Sequence, residues 1–349
     1  MFSINGRNIG IEEPPYIIAE LSANHNGSIE NAKKLIKEAN ECGASAIKLQ
    51  TYTAESMTID CDNKEFRIND GLWKGYNLFQ LYKEAATPYS WHEELFRYAN
   101  EIGITIFSTP FDENAVDFLN ELNVPAFKIA SFEILDLPLI KYVASKGKPL
   151  LISTGMANVK EISEAVNVAK DAGCQDILLF HCISSYPTAT KDANLRMVSY
   201  LRKRFDLEVG LSDHTLNNNA AIASLALGAT AIEKHFLLSR SNKGPDSEFS
   251  IEPNELKNLV NSTKECWEAL SENNFERTES EKKNLVFRRS LYFVKDIKAG
   301  EKISKENTRK IRPGYGLPPK YYEEIMNKEV LRDISKGEPV RWELIKTDS

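Results

Sequence analysis

Short apolar runs and longer amphipathic segments alternate along most of this chain. Side chains alternate on a strand and recur about every 3.6 residues on a helix, so the short runs predict strands and the longer segments predict helices. The amphipathic segments include 28–42, 90–102, 113–122, 159–172 and 255–270. The apolar runs are eight: Tyr16–Leu21, Ser45–Gln50, Ile104–Ser108, Ala126–Ala130, Pro149–Ser153, Ile177–His181, Glu208–Leu211 and Thr230–His235.

Eight such repeats predict an α/β fold, a closed (β/α)8 barrel of the TIM type, for which about 250 residues is typical. An open, doubly wound sheet is the alternative. Before the first run, residues 2–11 alternate around Asn5-Gly6, which is a strong hairpin signal. We therefore expect a β-hairpin within residues 1–14 that closes the bottom of the barrel.

The pattern changes after the last amphipathic segment. Residues 273–287 are rich in Glu, Asn, Ser and Lys and read as a linker between a barrel at 1–272 and a β-rich domain at 288–349. That domain is predicted from three short runs, Ser290–Val294, Glu329–Leu331 and Val340–Leu344, separated by Gly and Pro.

The connection from Thr51 to Thr87 is far longer than the usual 2–6 residues of a loop in such a barrel. It follows the second strand and carries the aromatic residues Trp73, Tyr76 and Tyr82. Because long loops on that face commonly build binding sites, we expect it to line a substrate pocket. A disordered excursion is the alternative.

Two histidines end neighbouring strands of the predicted barrel. His214 follows one apolar run and His235 closes the next, so both lie at the carboxyl end, where such folds carry their sites. Neutral imidazole is the commonest metal ligand. We therefore expect His214 and His235 to hold one divalent ion and to leave positions open for water and substrate. His181, which also ends a strand, is either a ligand or a hydrogen-bonded core residue.

Four charged residues interrupt the strands: Glu20, Lys48, Lys128 and Glu233. Their apolar neighbours predict that they point into the barrel. An unpaired buried charge costs several kcal/mol, so the lysines either bind an anion or form structural ion pairs. For the two glutamates, a role in the site and a purely structural ion pair both stay open. Hydroxyls at the strand ends could complete an anion site, or could be turn residues: Thr109, Ser131, Ser153, Ser184 and Ser212.

The composition narrows the classes of protein. The 349 residues contain 42% hydrophobic and 27% charged residues, with a net charge of −6, which argues against a nucleic-acid surface. No apolar run approaches the roughly 20 residues that a membrane span needs, and no signal peptide is visible. Five scattered cysteines without a C-x-x-C pair indicate reduced thiols, so we expect a cytoplasmic location.

Together these motifs resemble the sialic acid synthase family, in the family's order and along nearly the whole chain. The motifs that carry the resemblance are Asn24–Gly27, Ile47–Gln50, Ser108–Asp112, Phe127–Glu133, Ser153–Met156, His181–Cys182, Ser185–Pro187, Gly210–Thr215, Glu233–Phe236, Gly244–Asp246 and Arg312–Gly314. The tail resembles the family's antifreeze-like (SAF) β-clip domain, which in relatives swaps across a homodimer and covers the partner's barrel mouth.

The resemblance implies condensation of phosphoenolpyruvate with the open-chain aldehyde of an N-acetylated sugar and loss of phosphate by C–O cleavage. A divalent ion would polarise the aldehyde; we favour Mn²⁺, with Mg²⁺, Co²⁺ and Fe²⁺ as alternatives. The implied catalytic residues are Glu20, Glu133, His214 and His235. The implied phosphoenolpyruvate contacts are Lys48, Thr109, Lys128, Ser131, Ser153, Ser184 and Ser212. The implied sugar contacts are Trp73, Glu133, Tyr186, Asp246 and Arg312, the last from the partner subunit.

Within the family, Leu72–Gly75, Leu81–Ala85 and Arg312–Pro319 resemble pseudaminic acid synthases. The implied acceptor is 2,4-diacetamido-2,4,6-trideoxy-L-altrose. N-acetylneuraminate or legionaminate synthesis, from N-acetylmannosamine or another diacetamido sugar, is the alternative. A metal-dependent aldolase on the same barrel and a non-catalytic carbohydrate-binding protein are the remoter hypotheses.

Overall fold

The computed structural model describes residues 2–270 and 275–346, and the chain divides into two compact units, Met1–Ser271 and Glu272–Ser349. The predicted domain boundary at 272 and the start of the predicted linker at 273 lie outside the described residues. Within the described ranges, no helix is long and apolar enough to cross a membrane.

The first unit is a closed parallel barrel preceded by a hairpin, as the sequence predicts. Strands β1 (Ser3–Ile4) and β2 (Arg7–Asn8) pair around Asn5-Gly6. The described part of the chain then forms eight parallel barrel strands that pair in chain order, and β10 closes on β3. They are β3 (Tyr16–Glu20), β4 (Ala46–Thr51), β5 (Thr105–Pro110), β6 (Phe127–Ile129), β7 (Leu150–Ser153), β8 (Ile177–Cys182), β9 (Glu208–Ser212) and β10 (Ala231–His235).

Helices follow the strands and cover the outside of the barrel. Helix α1 shows why: Ala32, Leu35, Ile36 and Ala39 recur at helical spacing, and all four are buried. The Ser28 side chain accepts a hydrogen bond from the Asn31 backbone and so begins the helix. The helices of this unit are α1 (Ile29–Glu41), α2 (Ala54–Met57), α3 (Leu78–Ala85), α4 (Tyr89–Ile102), α5 (Glu113–Glu121), α6 (Leu137–Ala144), α7 (Val159–Asp171), α8 (Arg196–Phe205), α9 (Asn219–Leu225) and α10 (Pro253–Leu270).

Alternation along the strands gives the barrel two separate apolar layers. Outward residues such as Ile17, Ile47 and Ile152 pack against the helices. Inward residues near the strand starts form a second cluster, which includes Phe107 and Phe180. The hairpin contributes Phe2, Ile4 and Ile9 to that inner cluster, and all three are buried. The hairpin therefore plugs the bottom of the barrel, as predicted.

The long connection after β4 is folded. It contains α2, a short 3-10 turn at Lys64–Phe66, and α3. Its middle closes on itself through Ile68 N–H, which donates to Tyr76 O at 2.9 Å, and Asn77 Nδ2 donates to Cys61 O at 2.6 Å. These bonds exclude the interpretation of the segment as a disordered excursion.

The second unit is small and largely irregular. Strands β11 (Ser290–Phe293) and β12 (Thr308–Ile311) pair antiparallel, and Leu291 and Phe293 anchor its own apolar core. Two predicted strands are wrong: 329–331 makes only isolated bridges, and Trp342–Leu344 is a 3-10 turn. β12 was missed because only its first residue is buried, so it lacks an apolar pattern.

The stretch predicted as a linker carries short helices in its described part. Helix α11 (Glu279–Lys283) begins with a capping box in which the Thr278 and Glu281 side chains bond each other's backbone N–H groups, and a 3-10 turn follows at Asn284–Phe287. Neither helix α11 nor this 3-10 turn contains a buried residue, which agrees with the low apolar content of the stretch. Helix α12 (Tyr322–Ile325) completes the unit.

Candidate active site

A cavity of about 300 Å³ opens at the carboxyl ends of the barrel strands. The long connection supplies much of its wall, as predicted, through residues such as Ile68, Trp73 and Leu81. Its lining is Ser22, Gln50, Tyr52, Met57, Ile68, Trp73, Leu78, Leu81, Tyr82, Ala85, Phe111, Ala130, Ser131, Phe132, Glu133, Tyr186, His235, Pro245, Asp246 and Phe249. Apolar and aromatic side chains make up most of this lining, and its polar groups are Ser22, Gln50, Ser131, Glu133, His235 and Asp246.

The two histidines lie side by side, as their strands predict. The ring centroids of His214 and His235 are 5.5 Å apart. His214 Nδ1 donates to Ile183 O at 3.0 Å, since a carbonyl can only accept. Burial lowers the pKa of His235 well below its usual value, so this ring is neutral.

These rings fit a two-histidine metal site. His235 Nδ1 is buried without a hydrogen-bond partner among the described residues, and it lies 3.7 Å from Asp246 Oδ2. A buried nitrogen without a partner is costly unless a ligand completes it. No group of three or more His, Cys, Asp or Glu side chains in the described ranges is arranged to hold a metal ion, so any ion here would take its other ligands from water and substrate.

The four strand charges point into the barrel and form one network. Lys48 Nζ lies 2.7 Å from Glu20 Oε2 and 3.5 Å from Glu233 Oε1, and Lys128 Nζ lies 3.9 Å from Glu233 Oε2. All four side chains are at most 5% exposed. Lys48 therefore forms a buried ion pair with Glu20, and its role in binding an anion stays a prediction.

Lys128 is less well neutralised than Lys48. Burial lowers the pKa of Lys128, whereas Glu20 and Glu233 raise the pKa of Lys48 in spite of its burial. Lys128 Nζ donates to Ser153 Oγ at 2.6 Å. A buried cation with a distant counter-charge and a hydroxyl beside it is suited to an anionic ligand.

Two carboxyl groups have raised pKa values for the same main reason. Burial raises the pKa of Glu20 to about 7, against the opposing charge of Lys48. Burial also raises the pKa of Glu133 to about 7, and Glu133 Oε2 is buried without a partner in the described structure. Each group can therefore exchange a proton near neutral pH.

The strand-end hydroxyls share one location, as predicted. Thr109 Oγ1 accepts from Lys48 Nζ at 3.3 Å, and Ser212 Oγ donates to Glu233 Oε1 at 3.2 Å. Ser184 Oγ donates to Ser131 Oγ at 2.8 Å.

Gly155 allows that close approach. It has φ +46°, and a Cβ placed there would lie 2.5 Å from Ser131 Cβ and 2.9 Å from Ser184 Oγ. A larger residue would therefore separate the turn after β7 from these hydroxyls.

The predicted sugar contacts meet above the histidines, with one exception. Tyr186 lies over His214 with ring centroids 4.4 Å apart, and Trp73 Nε1 donates to Pro245 O at 2.8 Å. Asp246 is the next residue in the chain after Pro245, and burial raises its pKa. Arg312 follows β12 in the second unit, where it is exposed.

Comparisons with known proteins identify the family of the chain. The NeuB family model matches residues 35–275, and the SAF domain model matches residues 288–346. The chain belongs to the NeuB family. It is 42% identical to the pseudaminic acid synthase of Campylobacter jejuni, with 96% of this chain and 97% of the relative covered. It is 40% identical to the pseudaminic acid synthase of Helicobacter pylori, with 94% and 97% covered.

A solved structure extends the likeness to three dimensions. The N-acetylneuraminic acid synthetase of Leptospira borgpetersenii, crystallised with citrate, superposes with a TM-score of 0.73 at 32% identity, covering 81% of this chain and 94% of that one. The resemblance to the sialic acid synthase family, the α/β barrel and the SAF domain, all predicted from the sequence, are therefore confirmed.

Some residues of this NeuB site were not singled out from the sequence. Gln50 Nε2 donates to Glu20 Oε1 at 2.9 Å and to Ser22 Oγ at 3.0 Å, so Gln50 joins the cavity wall to the charge network. Its signal was present, since Gln50 lies two residues after Lys48 and so shares its inward face.

Cys182, read as a core thiol, neighbours the ring of His214: burial acts to raise the pKa of the thiol, but the imidazole lowers it. No local signal identified that contact, because it joins two strands. His181 is resolved as a core residue, since its Nε2 donates to Ala193 O at 2.8 Å.

Proposed function

We propose that this chain is a transferase that condenses phosphoenolpyruvate with 2,4-diacetamido-2,4,6-trideoxy-L-altrose to give pseudaminic acid and phosphate. The observation that carries the proposal is the 42% identity to a pseudaminic acid synthase over nearly the whole chain, together with a mouth cavity whose wall is connected through Gln50 to the buried charge network. C3 of phosphoenolpyruvate forms a bond to the aldehyde carbon, water adds at C2, and the C2–O bond to phosphate breaks.

The chain's own residues account for the anion. Lys128 and Ser153 offer a cation and a hydroxyl to the phosphate or carboxylate, and Lys48 with Thr109 offers a second such pair. Ser131, Ser184 and Ser212 complete the polar floor. The network carries two positive and two negative charges, so a bound anion gains from these lysines only if the carboxyls take up protons or move away.

Proton handling falls to Glu20 and Glu133. Both pKa values lie near 7, so each carboxyl can accept a proton from water or return one to the product under working conditions. Glu133 lines the cavity directly, whereas Glu20 is linked to it through Gln50.

The shape of the cavity supports a deoxy, diacetamido acceptor. Tyr52, Leu81 and Tyr82 form an apolar wall that suits a methyl group and a second acetamide. Asp246, Tyr186 and Glu133 lie on the polar side and can take the hydroxyls. N-acetylneuraminate or legionaminate synthesis is the second candidate, and it would place more hydroxyls against the apolar wall.

The histidine pair supports a divalent ion, with Mn²⁺ preferred and Mg²⁺, Co²⁺ or Fe²⁺ as alternatives. When bound, the ion would act as a Lewis acid towards the aldehyde oxygen. His214 and His235 would hold it, and Asp246 would orient His235 or a bound water. Chelation should abolish turnover and Mn²⁺ should restore it; full activity after exhaustive chelation would contradict this role.

We also propose a cytoplasmic, domain-swapped homodimer in which Arg312 serves the partner's site. Exposed apolar residues at the barrel mouth, Phe132, Leu135 and Met156, support a covered mouth. Mixing His235→Ala with Arg312→Ala protein tests this. Subunit exchange should regain activity, because one of the two sites in a mixed dimer is intact. No regain after verified exchange would contradict a shared site.

The decisive experiment combines a substrate panel with an isotope label. The protein is incubated with phosphoenolpyruvate labelled with ¹⁸O at the bridging oxygen and with mono- and diacetamido hexoses. We expect the label in phosphate and the product mass of pseudaminic acid only with the diacetamido acceptor. His235→Ala is the control. Turnover with pyruvate in place of phosphoenolpyruvate would instead favour the aldolase alternative, and sugar binding without turnover would favour a carbohydrate-binding protein.

A further inference from the structure

A buried ion pair lies directly behind the two histidines. Lys234 Nζ is 2.7 Å from Asp213 Oδ2, and the two side chains are 0% and 2% exposed. Lys234 Nζ also donates to Thr215 O at 2.6 Å and to Asn217 O at 3.2 Å. Each N–H of the ammonium therefore has an acceptor. Neither residue lines the cavity described above.

The pair is in register with the histidines. Glu233 is paired with Ser212 across β9 and β10, and Asp213 N–H donates to Glu233 O at 2.9 Å. Lys234 and Asp213 are thus neighbours, as are the histidines that follow each of them. Because side chains alternate, the ion pair faces the helices while the histidines face the site.

The pair also fixes the turn that carries His214. Asp213 Oδ1 accepts from Thr215 N–H at 2.9 Å, so one carboxylate holds both the turn and the ammonium. Burying two charges in this way rarely stabilises a fold more than apolar side chains of the same size. The contribution of this ion pair is geometric, because its bonds fix the relative position of two strand ends.

We propose that Lys234 and Asp213 are positioning residues that hold His214 and His235 at the separation needed to share one divalent ion. This inference rests on the metal site of the proposed function. It predicts that the pair controls metal affinity although it touches neither metal nor substrate, as outer partners of metal ligands commonly do.

The test compares the wild-type chain with Lys234→Met and with the double variant Lys234→Met/Asp213→Asn. The double variant leaves no isolated buried charge, so it should fold even if the single variant does not. After removal of metal, Mn²⁺ is titrated and the free ion is followed by electron paramagnetic resonance. We expect Kd for Mn²⁺ to rise about 10-fold or more in the folded variants. Saturating Mn²⁺ should restore most of kcat.

Arg202→Met is the matched control. It breaks an ion pair, Arg202 with Glu208 at 2.7 Å, at the opposite end of β9, and it should leave Kd for Mn²⁺ unchanged. Folded variants with wild-type Mn²⁺ affinity would overturn the inference. It would also be overturned if circular dichroism showed both variants to be unfolded, because the ion pair would then serve stability alone. If the wild-type chain binds no Mn²⁺ and works after chelation, the metal proposal itself fails, and this inference fails with it.

Discussion

The two ends of the barrel share the same alternation of side chains but differ in what points inward: apolar residues at the bottom and charged or polar residues at the mouth. At the bottom, the inward residues are apolar and the hairpin adds Phe2, Ile4 and Ile9 to a closed cluster. At the mouth, the inward residues are lysines, glutamates and hydroxyls in one buried network, and a cavity of about 300 Å³ opens at the same end of the barrel. The bottom gains stability from burial, whereas the mouth bears the desolvation cost of buried charges.

The comparison teaches that stability and chemistry are separated along the strand axis. Strand β4 shows this within three residues, since Ala46 belongs to the bottom cluster and Lys48 to the charge network. Substitutions at the bottom should therefore change the free energy of unfolding, and substitutions at the mouth should change kinetics.

The largest expected effect is at the mouth. His235→Ala removes the buried ring whose Nδ1 has no described partner. We expect kcat to fall about 1000-fold, or about 4 kcal/mol in barrier height, because the Lewis-acid assistance proposed above would be lost. Steady-state kinetics at saturating substrates and Mn²⁺ would measure it. A kcat close to that of the wild type would place the chemistry elsewhere.

The matching change at the bottom is Ile4→Ala. Ile4 is fully buried in the hairpin, so truncation should lower the free energy of unfolding by about 3 kcal/mol through lost burial and a cavity. Chemical denaturation would measure the loss. Both KM values should stay at wild-type levels; a changed KM would show that the two ends are coupled.

Lys128→Met keeps the apolar stem of the side chain and removes its charge. We expect KM for phosphoenolpyruvate to rise about 30-fold, equivalent to about 2 kcal/mol, because the incompletely neutralised cation is lost. KM for the acceptor sugar should change much less. Equal changes in both values would return Lys128 to a structural role.

The smallest effect concerns the hydrogen bond that ties the first residue of the long connection, Thr51, to helix α4. His92 Nε2 accepts from Thr51 Oγ1 at 2.8 Å, and burial lowers the pKa of His92 from 6.5 to about 4. Since the folded-state pKa is lower, the stability from neutral His92 is complete above about pH 6.5 and is lost as the pH falls towards 4.

We therefore expect unfolding free energy to fall by about 1 kcal/mol more in the wild type than in His92→Gln between about pH 7 and pH 5.5. Denaturation curves at both pH values measure this difference. Parallel pH dependence in the two proteins would show that His92 is protonated as easily in the folded state as in the unfolded one.

Much of the barrel could be predicted because its pattern is local. The predicted strands lie within about two residues of the observed ones, and the inward charges follow from alternation alone. The ends shift for a physical reason. Apolar patterning stops at Gln50, Ser108 and Leu211, but the strands continue into Thr51, Pro110 and Ser212, because the site begins where the core stops.

The partners of the site residues could not be predicted, because they are brought together by the closed fold. Cys182 meets His214 across two strands, and Trp73 reaches Pro245 from 172 positions away. In the second unit the prediction was wrong for 329–331 and 340–344. Beyond β11, most of its core residues lie on isolated bridges, turns and very short helices, which leave no period in the sequence.

The raised pKa of Glu133 predicts that anion binding is coupled to proton uptake. The positive charge of Lys128 lowers the pKa of this carboxyl and so partly offsets the effect of burial. An anion bound to Lys128 would screen that charge, and the pKa of Glu133 would rise further. Binding of phosphoenolpyruvate would then draw a proton from the buffer. In calorimetry the apparent heat of binding would vary with the ionisation enthalpy of the buffer, and mild acidification would tighten the complex.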